Sequence, residues 1–386
     1  MTSAGANRQF EYVLVGGGLQ NALLAQALAA LQPRASVALV ESERTLGGAH
    51  TWCFHTRDLD PTALDFASPL VTHAWDGYDV RFPQAARTLG GGYRCVTGGR
   101  LHEATSALFS THTQHRLLLG RRAKHIAAHE VELDDGERLT AEVVIDARGP
   151  SRLQGDAAGY QKFVGLELEL SAEHGLTRPL LMDALVEQID GFRFMYVLPF
   201  ERSRVLVEDT RFSDSPALDA ADLRAEILRY AAAQGLRVRQ ILREEIGVLP
   251  LPARLPPLPS HGPLKAGYAG GWLHPTTGYS FPIAARLSHF IARRPAGQLF
   301  GDAFQRFSRE HARQARFASL LNRLLFDAVV PEQRRGVFER FYRLEDSTIA
   351  RFYALTTTPL DRARILCGRP PPGLSLRRAL ARGMSS

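Results

Sequence analysis

Apolar positions in this chain fall into three kinds of run. The first kind is continuous: Val13-Leu14-Val15 feeds the turn Gly16-Gly17-Gly18-Leu19-Gln20-Asn21, an Ala-rich stretch, and then Val37-Ala38-Leu39-Val40-Glu41. A buried strand, glycine turn, helix and second strand ending in a carboxylate make the βαβ pattern that holds a dinucleotide. The second kind alternates. Gly165-Leu166-Glu167-Leu168-Glu169-Leu170, Phe192 to Leu198 and Val205 to Thr210 read as strands of an antiparallel sheet, the last two joined by a hairpin across 199–204. The third kind has helical period, over 219–234 and through most of the chain beyond 280.

Between these runs the chain is punctuated by turns. Residues 70–100 read as irregular strands with turn chemistry at Gly90-Gly91-Gly92 and Gly98-Gly99, and 101–111 as a helix. Short strands follow at Lys124-His125-Ile126 and Glu130 to Leu133. The turn Asp134-Asp135-Gly136 then leads into the buried strand that ends Ile145-Asp146-Ala147-Arg148-Gly149-Pro150. Pro250 to Pro263 reads as an extended surface connection.

A length of 386 residues accommodates two packed domains. Cys53, Cys95 and Cys367 stand far apart with no metal-ligand spacing, so neither a disulfide framework nor a metal site is expected, and a reducing compartment fits. Met1 to Phe10 lack the apolar core of a secretory signal, and no stretch approaches eighteen uninterrupted apolar residues. The net charge of +7 thickens toward the C-terminus, from Arg306 to Arg343 and again at Arg377, Arg378 and Arg382, with no nucleic-acid-binding motif. Phe317, Leu320, Leu321 and Leu324 recur at helical spacing beside Arg313, Arg316 and Arg323. That pattern suits either a core-facing helix with a solvated basic face or an interfacial helix against anionic lipid.

The chemistry of the first turn follows from its residues. Gly16 permits a tight turn, Gly18 lets backbone N–H groups approach a pyrophosphate beside Leu19, and Glu41 stands where a ribose hydroxyl needs an acceptor. Asn21 departs from the usual third glycine, so helix and strand must pack around a larger residue. Two later glycine-bearing elements, the strand end at Asp146 and the loop Gly267 to Ser280 before a helix, also have the content of a backbone approaching a ligand. Three such elements in this order resemble the FAD-binding framework of glutathione-reductase-type flavoenzymes. There the third element brings a helix N-terminus toward the flavin.

The wording of the motifs goes further. Gly16-Gly17-Gly18-Leu19, Gly47-Gly48-Ala49-His50-Thr51-Trp52, Leu198-Pro199-Phe200, Val207-Glu208-Asp209-Thr210 and His274-Pro275-Thr276-Thr277-Gly278-Tyr279-Ser280 together resemble the bacterial lycopene β-cyclases of carotenoid synthesis. The fold expected is α/β. A Rossmann-like FAD-binding domain (1–70, 101–159, 260–300) carries an inserted antiparallel-sheet substrate domain (71–100, 160–250), followed by a helical Arg-rich region (301–386). The resemblance implies cyclisation of lycopene or a related acyclic carotene with no net redox change, on reduced FAD supplied with electrons by NADPH or NADH. Cofactor contacts are expected from Gly16, Gly18, Leu19, Glu41, Asp146, Gly271, Thr277, Gly278 and Tyr279. The expected setting is cytoplasmic, peripherally against the membrane that carries the substrate. An FAD monooxygenase, a prenyl-chain reductase and a non-catalytic prenyl-binding protein are the competing readings.

Cyclisation needs a proton donor in an apolar pocket, and Glu208 is the first candidate, following Val205-Leu206-Val207 on a strand. Its structural alternative is an ion pair with Arg193 across the hairpin, while Asp209, on the opposite face, is expected to hold the following turn. Glu244 and Glu245 are a second acidic candidate, of which a strand can aim only one at a given pocket. His50 and His55 are placed as supporting residues. Phe192, Phe194, Tyr196 and Phe281 are candidate tunnel walls or cation-facing rings.

Overall fold

The structure, a computed structural model, describes residues 8–149, 157–255 and 261–367. The chain opens β1 (Arg8–Val15), α1 (Leu19–Leu31), β2 (Val37–Glu41), β3 (Thr51–His55) and α2 (Pro61–Ala67). There follow β4 (His73–Phe82), β5 (Ala85–Thr97), α3 (Gly98–Thr111), β6 (Arg116–Leu119), β7 (Ala123–Ile126), β8 (Glu130–Leu133) and β9 (Arg138–Asp146). The middle holds β10 (Ala157–Leu170), β11 (Leu180–Asp183), β12 (Phe192–Glu201), β13 (Arg204–Ser213), α4 (Ala220–Ala233), β14 (Val238–Pro252) and β15 (Leu264–Lys265). Helices α5 (Phe281–Ala292), α6 (Asp302–Arg323), α7 (Arg334–Phe341), α8 (Asp346–Tyr353) and α9 (Pro359–Leu366) complete it.

Two sheets result. The first has the order β6-β2-β1-β9-β8-β7, with β15 also paired to β9; the strands around β1 run parallel, and β7 and β8 return antiparallel. Helix α1, Ala- and Leu-rich, is buried from Leu19 to Leu28, with the amides of Gln20 and Asn21 hydrogen-bonded inside, and packs against α2, α3 and α5. The second sheet has the order β14-β10-β13-β12-β11-β4-β5-β3 and is antiparallel except at β11/β4. Helix α4 covers one of its faces, giving the core of Val164, Leu166, Val205, Val207 and Ile227.

Strand β3 belongs to the second sheet although it lies within the first seventy residues, so the chain visits that sheet before α2 returns it to α1 and α5. Gly90-Gly91-Gly92 do not form a turn, a correction to the sequence reading. They lie inside β5 opposite a register shift near Gly77, where side chains would collide with Thr56 and Arg57; the turn itself is at Pro83-Gln84.

Asp209 differs from expectation as well. It is fully buried on the α4 face and accepts from Arg193 (Nη2 to Oδ2, 2.9 Å) and Arg211 (3.1 Å), both of them buried. Glu226 shares Arg193 at 2.9 Å. Arg193 is thus committed across the sheet from Glu208, which removes the ion-pair alternative for Glu208. Replacing Asp209 by Ala leaves two buried guanidinium groups short of their carboxylate, and a loss of about 3–5 kcal/mol is expected. Chemical denaturation should show it as a lowered midpoint with an unchanged slope.

Candidate functional site

A cavity of about 1280 Å³ runs from the carboxyl ends of β1 and β2 to the exposed pleat of the second sheet. It exceeds the usual range for a single small ligand. At one end it is lined by Gly16, Gly18, Leu19, Glu41 and Gly149, and at the other by Phe194, Tyr196, Glu208 and Glu245.

The first end is built by backbone. Gly16 has φ +99°, and a Cβ there would stand 2.9 Å from the Ala147 carbonyl oxygen, so β1 and the end of β9 approach as only glycine allows. A Cβ on Gly18 would meet nothing within 4 Å; this residue opens onto the cavity and caps α1 with no side-chain partner, leaving the helix N-terminus free for an anion. Asn21 resolves the missing third glycine. Wholly buried, its Nδ2 donates to the Val15 and Gly16 carbonyls at 3.0 and 2.8 Å and so braces the turn. Glu41 Oε2 accepts from Gly17 N–H at 2.6 Å and Oε1 from Glu43 N–H at 2.9 Å. A carboxylate has further lone pairs, so Glu41 keeps acceptor capacity for a ribose hydroxyl. The cradle therefore fits a dinucleotide.

Thr277, Gly278, Tyr279 and Ser280 line the middle of the cavity, with the N-terminus of α5 behind them. This loop is clamped from the C-terminal region. His274 is bonded to the Phe352 carbonyl (2.9 Å), Thr276 donates to Ala318 O (2.9 Å), and Asn322 donates to Pro275 O (2.8 Å). Tyr279 donates to Asp58 (2.9 Å) and accepts from His55 N–H (3.0 Å).

Two residues expected at the cofactor do not reach the cavity wall. Asp146 is held by Arg148 through two 2.9 Å bonds, and Ala147, Arg148 and Gly149 do the lining instead. Gly271, at φ +79°, turns its carbonyl to His311 (2.9 Å), and its neighbour Trp272 lines the wall.

The second end is largely aromatic. Tyr93 and Tyr196 share a 3.0 Å hydroxyl bond, and Phe194, Phe212 and Tyr353 complete the wall. Phe192 is not part of it; stacked on Phe338 at 4.2 Å, it is core. His55 packs among Tyr78, Tyr93 and Tyr353 with ring centroids at 5.0, 5.0 and 5.2 Å, and burial pushes its pKa down to about 3, leaving it neutral. Burial likewise lowers His50, with Arg243 adding to the effect.

Glu208 enters this wall from β13, paired opposite Tyr196 on β12 and Gly165 on β10. Thr210 donates to it. Burial first and the Glu245 charge second push its pKa up to about 8, against the Thr210 hydrogen bond, so it carries a proton at neutral pH. Of the second acidic pair, Glu245 faces the cavity while Glu244 turns away to Arg224 at 2.7 Å.

Tyr353, Asp58 and Gly165 were not singled out by sequence. A lone glycine in an alternating strand is the one signal that pointed to Gly165. On α6 the buried face is His311, Gln314, Ala315, Ala318 and Asn322. The Phe317/Leu320/Leu321/Leu324 stripe is not that face, and Leu320 is exposed. Arg377, Arg378 and Arg382 lie outside the described residues.

The family model described as lycopene cyclase protein matches residues 11–379. A lycopene beta-cyclase of Pseudescherichia vulneris is 39% identical over 372 residues, covering 94% of each chain. Among solved structures, a geranylgeranyl bacteriochlorophyll reductase-like protein of Thermoplasma acidophilum superposes with TM-score 0.63 at 12% identity, covering 97% of this chain and 96% of its own. A probable FAD-dependent monooxygenase of Pseudomonas aeruginosa gives 0.62 at 16% identity, over 86% and 99%. These two likenesses show the fold.

Because a methyl group on Gly18 meets no protein atom, Gly18→Ala should unfold within about 0.5 kcal/mol of wild type. Its affinity for a dinucleotide, tested with FAD by quenching of flavin fluorescence, should fall at least about tenfold.

Proposed function

This chain belongs to the lycopene cyclase family, and on that premise we propose that it is a flavin-dependent lycopene β-cyclase, converting the acyclic ends of lycopene to β-rings. The observation that carries this reading is a carboxyl, Glu208, kept protonated in an aromatic wall at the far end of a dinucleotide-sized cavity. Gly16, Gly18, Leu19 and Glu41 would hold the ADP portion of FAD, and Thr277, Gly278 and Tyr279, ahead of the α5 N-terminus, would adjoin its flavin portion. Reduced FAD supplies negative charge that stabilises a cation in a site closed to water, and NADPH or NADH is the proposed electron source.

The substrate has no polar handle, so its end group is held by apolar burial against residues such as Phe194, Phe212, Met182 and Leu249. Glu208 gives its proton to C2 of the terminal isoprene unit, leaving a tertiary cation at C1. The C5–C6 double bond attacks C1 to close the ring and moves the cation to C5; the C6 proton then passes to the carboxylate left on Glu208, which forms the β-ring and restores the acid. Tyr93, Tyr196 and Tyr353 present ring faces to the cation and exclude the water that would quench it. Neutral His55 adds no opposing charge. The proton given up at C2 is balanced by the one lost at C6, so substrate and product have equal mass.

Among the described residues no helix is long and apolar enough to cross a membrane. The proposed setting is peripheral, on the cytoplasmic face of the membrane that dissolves the carotene, with the basic surface toward anionic lipid.

With reduced FAD and lycopene under strict anoxia, the product should be an isomer of lycopene by mass and absorption. A product gaining oxygen or hydrogen would point to a monooxygenase or reductase, and binding without turnover to a prenyl-binding protein. Glu208→Gln should retain FAD and lose at least about a hundredfold in turnover. Wild-type turnover should decline as pH rises through about 8, where Glu208 loses its proton, and be sustained below it.

A further inference from the structure

The second carboxyl in the cavity wall, Glu245, has no part in the scheme above. Gly165 on β10 pairs with Glu208 of β13 on one side and Glu245 of β14 on the other, so the two glutamates flank the same glycine on the same face of the sheet. A Cβ on Gly165 would lie 3.0 Å from Glu245 Cγ and 3.5 Å from Glu208 Oε2. The missing side chain thus leaves a gap into which both carboxyls reach. Two buried carboxyls that reach into one gap do not both ionise readily.

Burial pushes both carboxyls up, but their partners differ: Arg243 and Thr51 act against that rise at Glu245. Glu245 Oε2 takes Arg243 Nη1 at 3.0 Å, and the same guanidinium binds Glu167 at 2.8 Å and the Thr51 hydroxyl at 2.8 Å. Among the described residues Glu208 has the Thr210 hydroxyl and no ion pair. From this asymmetry we propose that Glu245 is a positioning residue that works through Glu208: held ionised by Arg243, its charge fixes the one proton of the pair on Glu208. The proposal deepens the reading of Glu208 as proton donor and rests on that reading for its catalytic meaning.

The groups facing Glu208 support the assignment. Titratable groups on this wall include Glu245 from β14, Tyr196 from β12, Tyr93 from β5 and Cys53 from β3, with Arg243 bound to Glu245 and Asp209 across the sheet beside its arginines. Tyr93 and Tyr196 are pushed far above the usual phenol range by burial, so they stay neutral, and Arg243 is committed to the carboxylates on either side of it. Glu245 is therefore the charge whose removal acts most directly on Glu208. Burial itself remains, so that part of the elevation persists without it.

The experiment is an infrared titration of the FAD-bound protein without carotene, following the protonated carboxyl stretch that Glu208→Gln abolishes. In wild type this band should disappear through about pH 8. In Glu245→Gln it should disappear at least about one pH unit lower, and in Glu245→Asp, which retains a withdrawn charge, in between. Glu244→Gln should match wild type. A one-unit shift lowers turnover at pH 8 about fivefold through kcat with KM unchanged, and restores it at lower pH. A Glu208 band in Glu245→Gln that titrates at or above the wild-type pH overturns the proposal; should that variant not fold, an unshifted Glu245→Asp does so. If wild type fails to cyclise lycopene, the functional reading falls, while the infrared shift still decides whether Glu245 sets the proton.

Discussion

A carboxyl taken out of water keeps its proton unless a cation stands beside it, and the second sheet is arranged so that the cations stand elsewhere. Arg193 and Arg211 bind Asp209 on the α4 face, and Arg243 binds Glu167 and Glu245 at the edge of the sheet. Glu208, between them on the cavity face, is left with the Thr210 hydroxyl and aromatic neighbours. Strand alternation does this with adjacent residues: Glu208 and Asp209 have opposite environments because their side chains leave the strand on opposite faces. One becomes a neutral acid and the other the centre of a buried ionic network.

The same wall depends on the end of the chain. The Thr277 to Ser280 segment is placed by the preceding His274 to Thr276, whose polar groups are satisfied by α6 and α8. The buried face of α6 is correspondingly rich in histidine, glutamine and asparagine rather than leucine. His311 and Asn322 on it bond carbonyls of the loop, and the leucines on its flank mark a different, partly exposed face. Tyr353, at the end of α8, then closes the cavity beside His55.

Much of the first domain was legible in the sequence. The strands around the glycine turn, the turn itself and Glu41 are local features, set by apolar runs and by the conformational freedom of Gly16. Asn21 was legible only as a departure; its solution, an amide donating to two strand carbonyls, depends on how β1 and α1 meet. Asp146 and Gly271 were read as ligand contacts from glycine-rich surroundings. Such surroundings locate a backbone approach to within a residue or two and do not say which neighbour faces the cavity.

The sequence by itself determined the βαβ glycine turn, the antiparallel second sheet, the helical end and the position of Glu208 on a strand after three apolar residues, because these follow from periodicity and motif over a few residues. Tertiary structure decided which of Glu244 and Glu245 enters the cavity, that Arg193 serves Asp209, and that Gly165 leaves room for two carboxyls. It also decided that helices beyond residue 300 hold the central loop. Each of these depends on register between strands or packing between segments far apart in the chain. A one-residue shift in register would have exchanged every partner.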